Sequence, residues 1–317
     1  MNVDYHLSRT RESSLLARVG RQQWLLVLRR AARTRRGMFG LIIMLFIALI
    51  AALGPLFAPH SSTSFVTSSF SAPSAAYPFG GDDLGRDVLS RVLDGGWVLL
   101  LMAIGATAFG VIFGAAVGVS AAYLRGRIDG VLMRAVDIIL AFPQLVFALL
   151  LVSIIGPKLW LIVLAVGFSH IPAVARVLRS ASLDVSERDY VKYAEMQGFS
   201  RVGVMFKEIL PNLISPLMVE TGLRLTYSIV VMAGLEFLGF GQPPPAPNWG
   251  SMISENQIGL SANPWAVIVP ALLIALLTIG TNTYTDAVAR VALGVERKPE
   301  EAVLLENVAV GESTGSL

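Results

Sequence analysis

Six long stretches of this chain contain almost no charged residue, and no other feature of the sequence constrains its fold as strongly. They cover 39–58, 97–124, 138–157, 159–175, 213–238 and 265–285. A helix that crosses a bilayer needs about 20 mostly apolar residues. Only 15% of the whole chain is charged, whereas 54% is apolar. The pattern therefore predicts an all-α, polytopic membrane protein with six transmembrane helices.

The positive charges indicate how this bundle is oriented. With the N-terminus inside, the cytoplasmic segments are 1–38, 125–134, 176–211 and 290–317, and they contain 21 of the 25 Lys and Arg residues. Cytoplasmic loops of membrane proteins carry such an excess of cations. We therefore predict cytoplasmic N- and C-termini. The net charge of +3 follows from this topology, so nucleic acid is not a predicted partner.

The same pattern divides the chain into five parts. They are a cytoplasmic basic N-terminal region (1–38), a first transmembrane helix (39–58), an external loop or cap (59–96), a five-helix core (97–292) and a cytoplasmic tail (293–317). No cleavable signal peptide is predicted, because the start is Arg-rich and the first apolar run is full-length. The N-terminal region, with Leu15, Leu16, Val19 and the run 24–28, fits either an interfacial amphipathic helix or a flexible basic tail.

The external segment after the first span carries charges of both signs in close succession. Asp82, Asp83 and Asp87 alternate with Arg86 and Arg91, beside glycines that allow tight turns. The pattern predicts a small salt-bridged cap at the external end of the bundle. The spacing also permits a calcium-binding loop, so both alternatives stay open.

Polar side chains occur at helical spacing inside the last two apolar stretches. Glu220 and Arg224 are four residues apart, so they share a helix face and can form an ion pair. Tyr227 and Ser228 continue this stripe. The last stretch has a similar stripe of Thr278, Thr281, Asn282 and Thr285. Because ionisable groups in spans usually face a bundle interior or a water path, we predict a translocation pathway here, with interhelical packing as the open alternative.

A polar segment between the fourth and fifth stretches predicts a short cytoplasmic helix over 187–198. Ser186, three residues before Asp189, is suited to cap its start, and Gly198 is suited to end it. One side of this helix is charged, with Glu187, Arg188 and Lys192. Another side forms an apolar strip of Tyr190, Val191, Tyr193 and Ala194. A helix with these two sides is suited to fill a groove on a soluble partner.

This segment resembles the loop through which permeases of ABC importers dock on their ATPases. That loop reads Glu-Ala-Ala, three residues, Gly, nine residues, Ile, one residue, Leu-Pro. Four positions of the present chain are in register with it: Ala194, Gly198, Leu210 and Pro211. Three positions differ, because Lys192 stands for the Glu, Tyr193 for the first Ala and Glu208 for the Ile.

Further motifs extend the resemblance over residues 35–292. They are Gly85–Arg91, Arg134–Ile138 with Phe142-Pro143, and Phe237–Gly241 followed by Pro243-Pro244 and Trp249-Gly250. Together they are similar to the C-type subunit of the dipeptide/oligopeptide/nickel permease family. The resemblance implies a type I ABC importer permease fold in a bacterial plasma (inner) membrane.

The resemblance also implies a set of partners. They are a second homologous permease subunit, two ATP-binding subunits, an external solute-binding protein and membrane lipid. The helix at 187–198 is then expected to enter a cleft on an ATP-binding subunit. ATP and Mg belong to those subunits, and this chain is expected to bind no cofactor of its own.

Nothing in the sequence indicates an enzyme. The phosphate-binding motif Gly-x-x-x-x-Gly-Lys-Ser/Thr is missing, so this chain is not expected to hydrolyse ATP. There is no cysteine, and His6, His60 and His170 fall in a tail, a loop and a span. No catalytic residue and no metal site are therefore predicted. His170 is expected either to face cargo or to bond between helices.

These observations predict the pore-forming permease subunit of an ATP-driven importer that carries short peptides, di- or oligopeptides. The resemblance leaves nickel chelates, glutathione and haem open as cargo. An ion-gradient-driven secondary transporter is a further alternative, although the sequence has no clear internal repeat. An intramembrane enzyme fits less well, because Glu220, Arg224 and Glu236 do not form a catalytic set.

Overall fold

The computed structural model describes residues 24–294, and these residues form helices and loops without a strand. The predicted all-α class is confirmed. Residues 1–23 and 295–317 lie outside the described part of the chain. The predictions for Leu15, Leu16 and Val19 and for most of the C-terminal tail fall there.

Long helices cross the bundle and short helices lie at its two ends. α1 covers 24–33, α2 Arg35–Phe57, α3 Val88–Asp94, α4 Gly96–Leu124, α5 Gly126–Leu140 and α6 Gln144–Ile155. α7 covers Leu159–Ser186, α8 Asp189–Met196, α9 Arg201–Val204, α10 Ile214–Leu235, α11 Trp249–Asn256 and α12 Trp265–Ala292. Tighter or wider turns extend α10 at both ends, over Met205–Ile209, Leu210–Leu213 and Glu236–Phe240.

Five of the described helical segments are long and apolar enough to cross a membrane, and a bent pair makes a sixth. The five are Arg35–Phe57, Val88–Leu124, Leu159–Ser186, Arg201–Phe240 and Trp265–Ala292. The sixth is the pair formed by α5 and α6. The chain is therefore a multi-pass membrane protein, as the apolar stretches predict.

The third predicted stretch, 138–157, is not one continuous helix, and this expectation is corrected. α5 and α6 meet at 81°, and residues 141–143 separate them. The break falls where Pro143 lacks an N–H group and disfavours a helical conformation of Phe142 before it. The apolar run is visible in the sequence, but within it only the proline indicates that the helix changes direction.

Small residues allow α4 and α7 to pack closely. Gly110, Gly114 and Gly118 recur at every fourth position of α4. A methyl group added at any of them would lie within 2.6 Å of an atom of α7. Helices in lipid associate through such van der Waals contact between small residues. The contact pairs Gly110 with His170 and Gly114 with Val174, so α4 and α7 run in the same direction.

The first and last spans pack in a similar way. Gly40 of α2 faces the backbone of Gly280 and Tyr284, and Gly280 faces the backbone nitrogen of Met44. A side chain at either glycine would force the two helices apart. The contact runs antiparallel, and it places the beginning of α2 beside the end of α12.

The bundle has two distinct ends. At the cap end, residues 58–87 cover α3 and α11, and the fully buried Trp249 donates its Nε1–H to the Val92 carbonyl at 2.7 Å. At the opposite, docking end lie α1, α5, α8 and α9. Val191 and Ile209 belong there to a separate buried cluster with residues of α4 and α7.

Candidate docking and translocation sites

The short helix predicted over 187–198 is present as α8, with the narrower bounds Asp189–Met196. Ser186 does not cap it, contrary to the prediction. Ser186 is the last residue of α7, and its hydroxyl donates to the Ser182 carbonyl at 2.7 Å. Gly198 ends the segment at a φ of +80°, a left-handed conformation that favours glycine.

The predicted apolar strip of α8 is divided between two faces. Val191 and Ala194 are buried against the rest of the docking end, in the cluster that contains Ile209. Tyr193 is 60% exposed and Met196 is 78% exposed, and both lie on the outward side together with Tyr190. The inward pair therefore holds α8 on the helix bundle, and the outward side chains are accessible to a partner.

The charged residues near α8 have different environments. Glu187 pairs with Arg125, whose Nη2 lies 3.1 Å from the carboxylate, so the end of α7 is tied to the start of α5. Lys192 is exposed, and no carboxylate among residues 24–294 lies within ion-pair distance of it. Its charge is therefore available at the outward surface.

Two more ion pairs fasten α5 to α7 at the docking end. Arg179 donates from Nε and Nη2 to the two carboxylate oxygens of Asp129, each at 2.6 Å. Arg176 donates to Asp137 at 2.6 Å. The bidentate pair of Arg179 and Asp129 is of a strong and directional kind. α5 is thus attached to the helix that leads directly into α8.

Leu210 and Pro211 lie between the short helices α8 and α9 and the helix α10, which carries the predicted pathway residues. They begin the tight turn Leu210–Leu213, where proline needs no hydrogen-bond donor. Ile209 and Leu213, on either side, are fully buried. This turn therefore connects the two predicted sites through a packed joint.

The predicted pathway residues Glu220 and Arg224 form an ion pair on α10, with 3.2 Å between Oε2 and Nε. Glu220 is buried. The guanidinium carbon of Arg224 also lies 5.2 Å from the centre of the Tyr227 ring. Tyr227 itself is exposed, so this face of α10 is open next to the charged pair.

Ser228, the fourth residue of this stripe, lies in the bundle interior. It is fully buried, and its Oγ lies 2.9 Å from Nε2 of His170 and 3.1 Å from Oγ1 of Thr107. In this arrangement Ser228 joins α10 to α4 and α7. His170 thus takes the interhelical position that was one of its two predicted alternatives.

The hydroxyl of Thr107 determines the direction of each hydrogen bond in this network. The Thr107 hydroxyl donates to the Ala103 carbonyl at 2.7 Å, so Ser228 must donate to Thr107. Ser228 then accepts from the Nε2–H of His170, and Nδ1 of His170 accepts from the Gln144 amide at 3.3 Å. Four helices are linked, and Thr107 and Gln144 were not identified from the sequence because their apolar stretches give no polar periodicity.

On α12, most polar residues of the predicted stripe bond within their own helix. The hydroxyls of Thr278, Thr281 and Thr285 each donate to the carbonyl four residues earlier, at 2.8 Å. Thr281 and Thr285 are buried, whereas Asn282 is exposed. Thr278 lines an open, mainly apolar groove of 450 Å³ between α10, α11 and α12.

The five predicted cap residues fall into two groups. Asp82 accepts from Nε of Arg86 at 2.6 Å and lies 3.1 Å from Nε of Arg91, and all three side chains are buried. Asp83 pairs with Arg86 at 2.9 Å. Asp87 belongs to a different contact, because it accepts from the backbone and hydroxyl of Ser90 at the start of α3.

Glu255 of α11 completes the charged cluster, and the sequence did not identify it. Its Oε2 lies 2.8 Å from Nη2 of Arg91 and 3.1 Å from Nη2 of Arg86. Burial raises the pKa of Glu255, and the guanidinium groups of Arg91 and Arg86 oppose this shift. Asp82, Asp83 and Glu255 are close enough together to resemble a cation site, but each of them is paired with an arginine. The geometry therefore favours the salt-bridged cap over the calcium loop.

Glu236 lies where α10 widens near the cap end. It is fully buried, and its Oε1 accepts from the Asn248 amide at 2.7 Å. Asn248 also accepts from the Gly250 backbone at 3.0 Å and so starts α11. This contact closes the proline-rich segment 241–247 against α10.

The fold and these sites define a class of protein: a multi-pass helical permease with an exposed helix at one end and a charged cap at the other. Residues 110–292 match the family described as binding-protein-dependent transport system inner membrane component. Residues 22–73 match the N-terminal transmembrane domain of oligopeptide transport permease C. The chain belongs to this family of binding-protein-dependent permeases, which are transport components and not catalytic subunits.

Curated relatives support the assignment over most of the chain. The dipeptide transport system permease protein DppC of Haemophilus influenzae is 34% identical over 261 residues, covering 80% of this chain and 88% of the relative. The di/tripeptide permease DppC of Pseudomonas aeruginosa is 34% identical over 262 residues, covering 80% and 86%. The glutathione permease GsiD of Pectobacterium atrosepticum is 33% identical over 249 residues, covering 78% and 82%. The predicted resemblance is confirmed.

Proposed function

We propose that this chain is one of two permease subunits that form the path of an ATP-driven importer of short peptides. The observation that carries this proposal is the geometry of α8. Its inward residues, Val191 and Ala194, fix it to the bundle, whereas Tyr190, Tyr193 and Met196 face outward. A helix held in this way can transmit a push from a soluble subunit to the spans.

Two routes are available for this transmission. α8 follows directly on α7, and Arg176 and Arg179 of α7 hold α5 by ion pairs. In the other direction, α8 packs on the turns that lead through Leu210 and Pro211 into α10. Movement of α8 relative to the bundle is therefore expected to alter the position of α10. Coupling of this kind requires that ATP binding favours one of two states of the permease.

The proposed path follows the open face of α10. Tyr227 is exposed on this face, next to the largely buried pair of Glu220 and Arg224, and Asn282 of α12 is exposed as well. A second homologous permease subunit is proposed to complete the path. A charged pair beside an aromatic ring suits a zwitterionic cargo with a free amino group and a free carboxylate.

Short peptides are the proposed cargo because relatives named for dipeptide and di/tripeptide transport cover about four fifths of this chain. Glutathione, the cargo in the name of another relative, is itself a small peptide and is the second candidate. An external solute-binding protein is proposed to deliver the peptide to the cap end. The docking end then faces the cytoplasm of a bacterial cell, where two ATP-binding subunits bind ATP and Mg.

The proposal is tested by affinity purification of this chain from its native membrane, followed by mass spectrometry and reconstitution with what is retained. We expect two ATP-binding subunits, a second permease and a binding protein, and ATP-dependent uptake of a labelled dipeptide into the vesicles. Uptake driven by an ion gradient by this chain alone would contradict the proposal.

A further inference from the structure

The helix that precedes the first span presents an unusual outward face. Along α1, the exposed residues are Leu25, Leu26, Arg29, Arg30 and Arg33. Their spacing places them on one side of the helix, with leucines in its first turn and arginines in the turns that follow. The face is therefore apolar at one end and strongly cationic at the other.

The opposite face of α1 is held firmly by the bundle. Val27 and Leu28 pack with the buried Ala31 against Ala287 and Val288 of α12. The Tyr284 hydroxyl of α12 also donates to the Leu28 carbonyl at 3.4 Å. These contacts fix the rotation of α1, so the orientation of its outward face is a property of the fold.

A corner at Thr34 brings two more arginines to the same surface. The Thr34 hydroxyl accepts from the Gly37 backbone at 3.0 Å and thereby caps α2. Arg35 and Arg36, the first residues of α2, are exposed directly after this corner. The surface formed by Arg29, Arg30, Arg33, Arg35 and Arg36 is called the arginine corner below.

The arginine corner differs from three other arginines of the docking end. Arg125, Arg176 and Arg179 each pair with a carboxylate. None of the five corner arginines has an ion-pair partner within the described residues. Five guanidinium groups in eight positions repel one another, so an anionic ligand that bridges them would relieve this repulsion.

The surroundings of the corner identify the kind of anion. Met38 and Phe39 are exposed just beyond it on α2, and their apolar surface continues along the span that crosses the membrane. Leu25 and Leu26 are exposed on its other side. A ligand that fits all three surfaces has a phosphate for the arginines and acyl chains for the leucines and for α2. Guanidinium groups bind phosphate oxygens with two parallel hydrogen bonds.

We propose that the arginine corner binds the headgroups of anionic phospholipids in the leaflet at the docking end. The phosphates lie against the arginines, and the acyl chains lie along Leu25, Leu26 and the exposed side of α2. Juxtamembrane clusters of basic residues interact with anionic lipid surfaces in this manner. The site is independent of the proposed cargo and of the ATP-binding partners.

The test uses the full-length chain, delipidated in a neutral detergent and titrated with dioleoylphosphatidylglycerol or dioleoylphosphatidylcholine. Bound lipids are counted by native mass spectrometry at low and high salt. We expect tight binding of dioleoylphosphatidylglycerol only, and this binding should weaken at high salt. One arginine at an anionic surface contributes about fivefold, so the double variant Arg29→Gln/Arg33→Gln is expected to bind roughly 25-fold more weakly.

Two further variants make the result specific. Arg127→Gln/Arg134→Gln removes two exposed arginines of α5 at the same end of the bundle and should bind like the unchanged chain. Arg29→Lys/Arg33→Lys keeps the charge and should retain most of the binding. Equal weakening by the α5 variant, unchanged binding by Arg29→Gln/Arg33→Gln, or equal binding of phosphatidylcholine would each overturn the proposal.

Discussion

Nε2 of His170 lies 2.9 Å from Oγ of Ser228, and this contact joins the helix that leads into α8 to the helix that carries the proposed path. Both side chains are fully buried. The contact also belongs to a chain of hydrogen bonds from Gln144 to Ala103, so each polar atom has a defined role. It is a direct side-chain hydrogen bond between α7 and α10 in the bundle interior.

The first prediction concerns this contact. Ser228→Ala leaves the Nε2–H of His170 without an acceptor in the bundle interior. An unsatisfied buried donor costs about 1–3 kcal/mol. We expect a lower thermal unfolding midpoint of the purified protein. Ser169→Ala is the matched control, because the Ser169 hydroxyl bonds only to the Val166 carbonyl of its own helix. Equal midpoints for the two variants would show that the network does not stabilise the bundle.

The second prediction concerns the charged cap. Asp82→Asn removes the carboxylate that two buried arginines share, and breaking a buried ion pair costs about 3–5 kcal/mol. Asp83→Asn removes one partly exposed partner of Arg86 and should cost about 1 kcal/mol or less. Limited proteolysis of residues 58–87 measures the difference. Similar protease resistance in both variants would contradict the role of Asp82.

The cap also predicts a response to metal removal. Each carboxylate of the cluster is paired with an arginine, so chelation with EDTA and addition of calcium should both leave the unfolding midpoint unchanged. A rise of the midpoint with calcium that EDTA reverses would favour the calcium loop.

The third prediction concerns the contact between α4 and α7. A methyl group at Gly114 would lie 2.6 Å from Cβ of Val174, so Gly114→Ala is expected to destabilise the protein by about 1–3 kcal/mol. Gly130→Ala on α5 meets open space and is expected to leave stability unchanged or to raise it slightly. Unfolding midpoints in detergent provide the comparison. An unchanged unfolding midpoint for Gly114→Ala would mean that the two helices can separate without a loss of stability.

The fourth prediction tests the proposed path. Arg224→Gln and the double variant Glu220→Gln/Arg224→Gln should both reduce peptide uptake about tenfold, equivalent to about 1.4 kcal/mol in the barrier. The complex should still assemble, because the double variant leaves no unpaired charge. Arg134→Gln, at an exposed position of α5, is the control. Normal uptake by the double variant would assign the pair to packing.

Much of the fold was predictable because the apolar stretches are long and the bilayer sets the length of a spanning helix. The bend between α5 and α6 was missed, because apolar composition does not show whether a helix runs straight. Whether Pro143 breaks a helix also depends on the residues that pack around it. The positions of Gly110, Gly114 and Gly118 were visible in the sequence, but the helix that they face was not.

The cap, the α10 ion pair and α8 were predictable only in part, because sequence spacing shows contacts within one helix but not contacts between distant segments. Helical spacing placed Glu220 beside Arg224, since both lie on one helix. Glu255 is separated from Arg91 by 164 residues, and only the tertiary fold joins them. For α8, the sequence showed the apolar residues but not which of them the bundle covers. Val191 and Ala194 are buried by contacts with residues far along the chain.

The central claim is that the outward face of α8 binds an ATP-binding subunit. Because the chain contains no cysteine, single cysteines can be introduced and labelled with benzophenone maleimide in the assembled complex. We predict that Met196→Cys cross-links to an ATP-binding subunit after illumination. Leu293 is 78% exposed, as Met196 is, but it lies at the end of α12, so Leu293→Cys should give no such product. The opposite pattern, or no product from Met196→Cys in a complex that retains its ATPases, would contradict the claim.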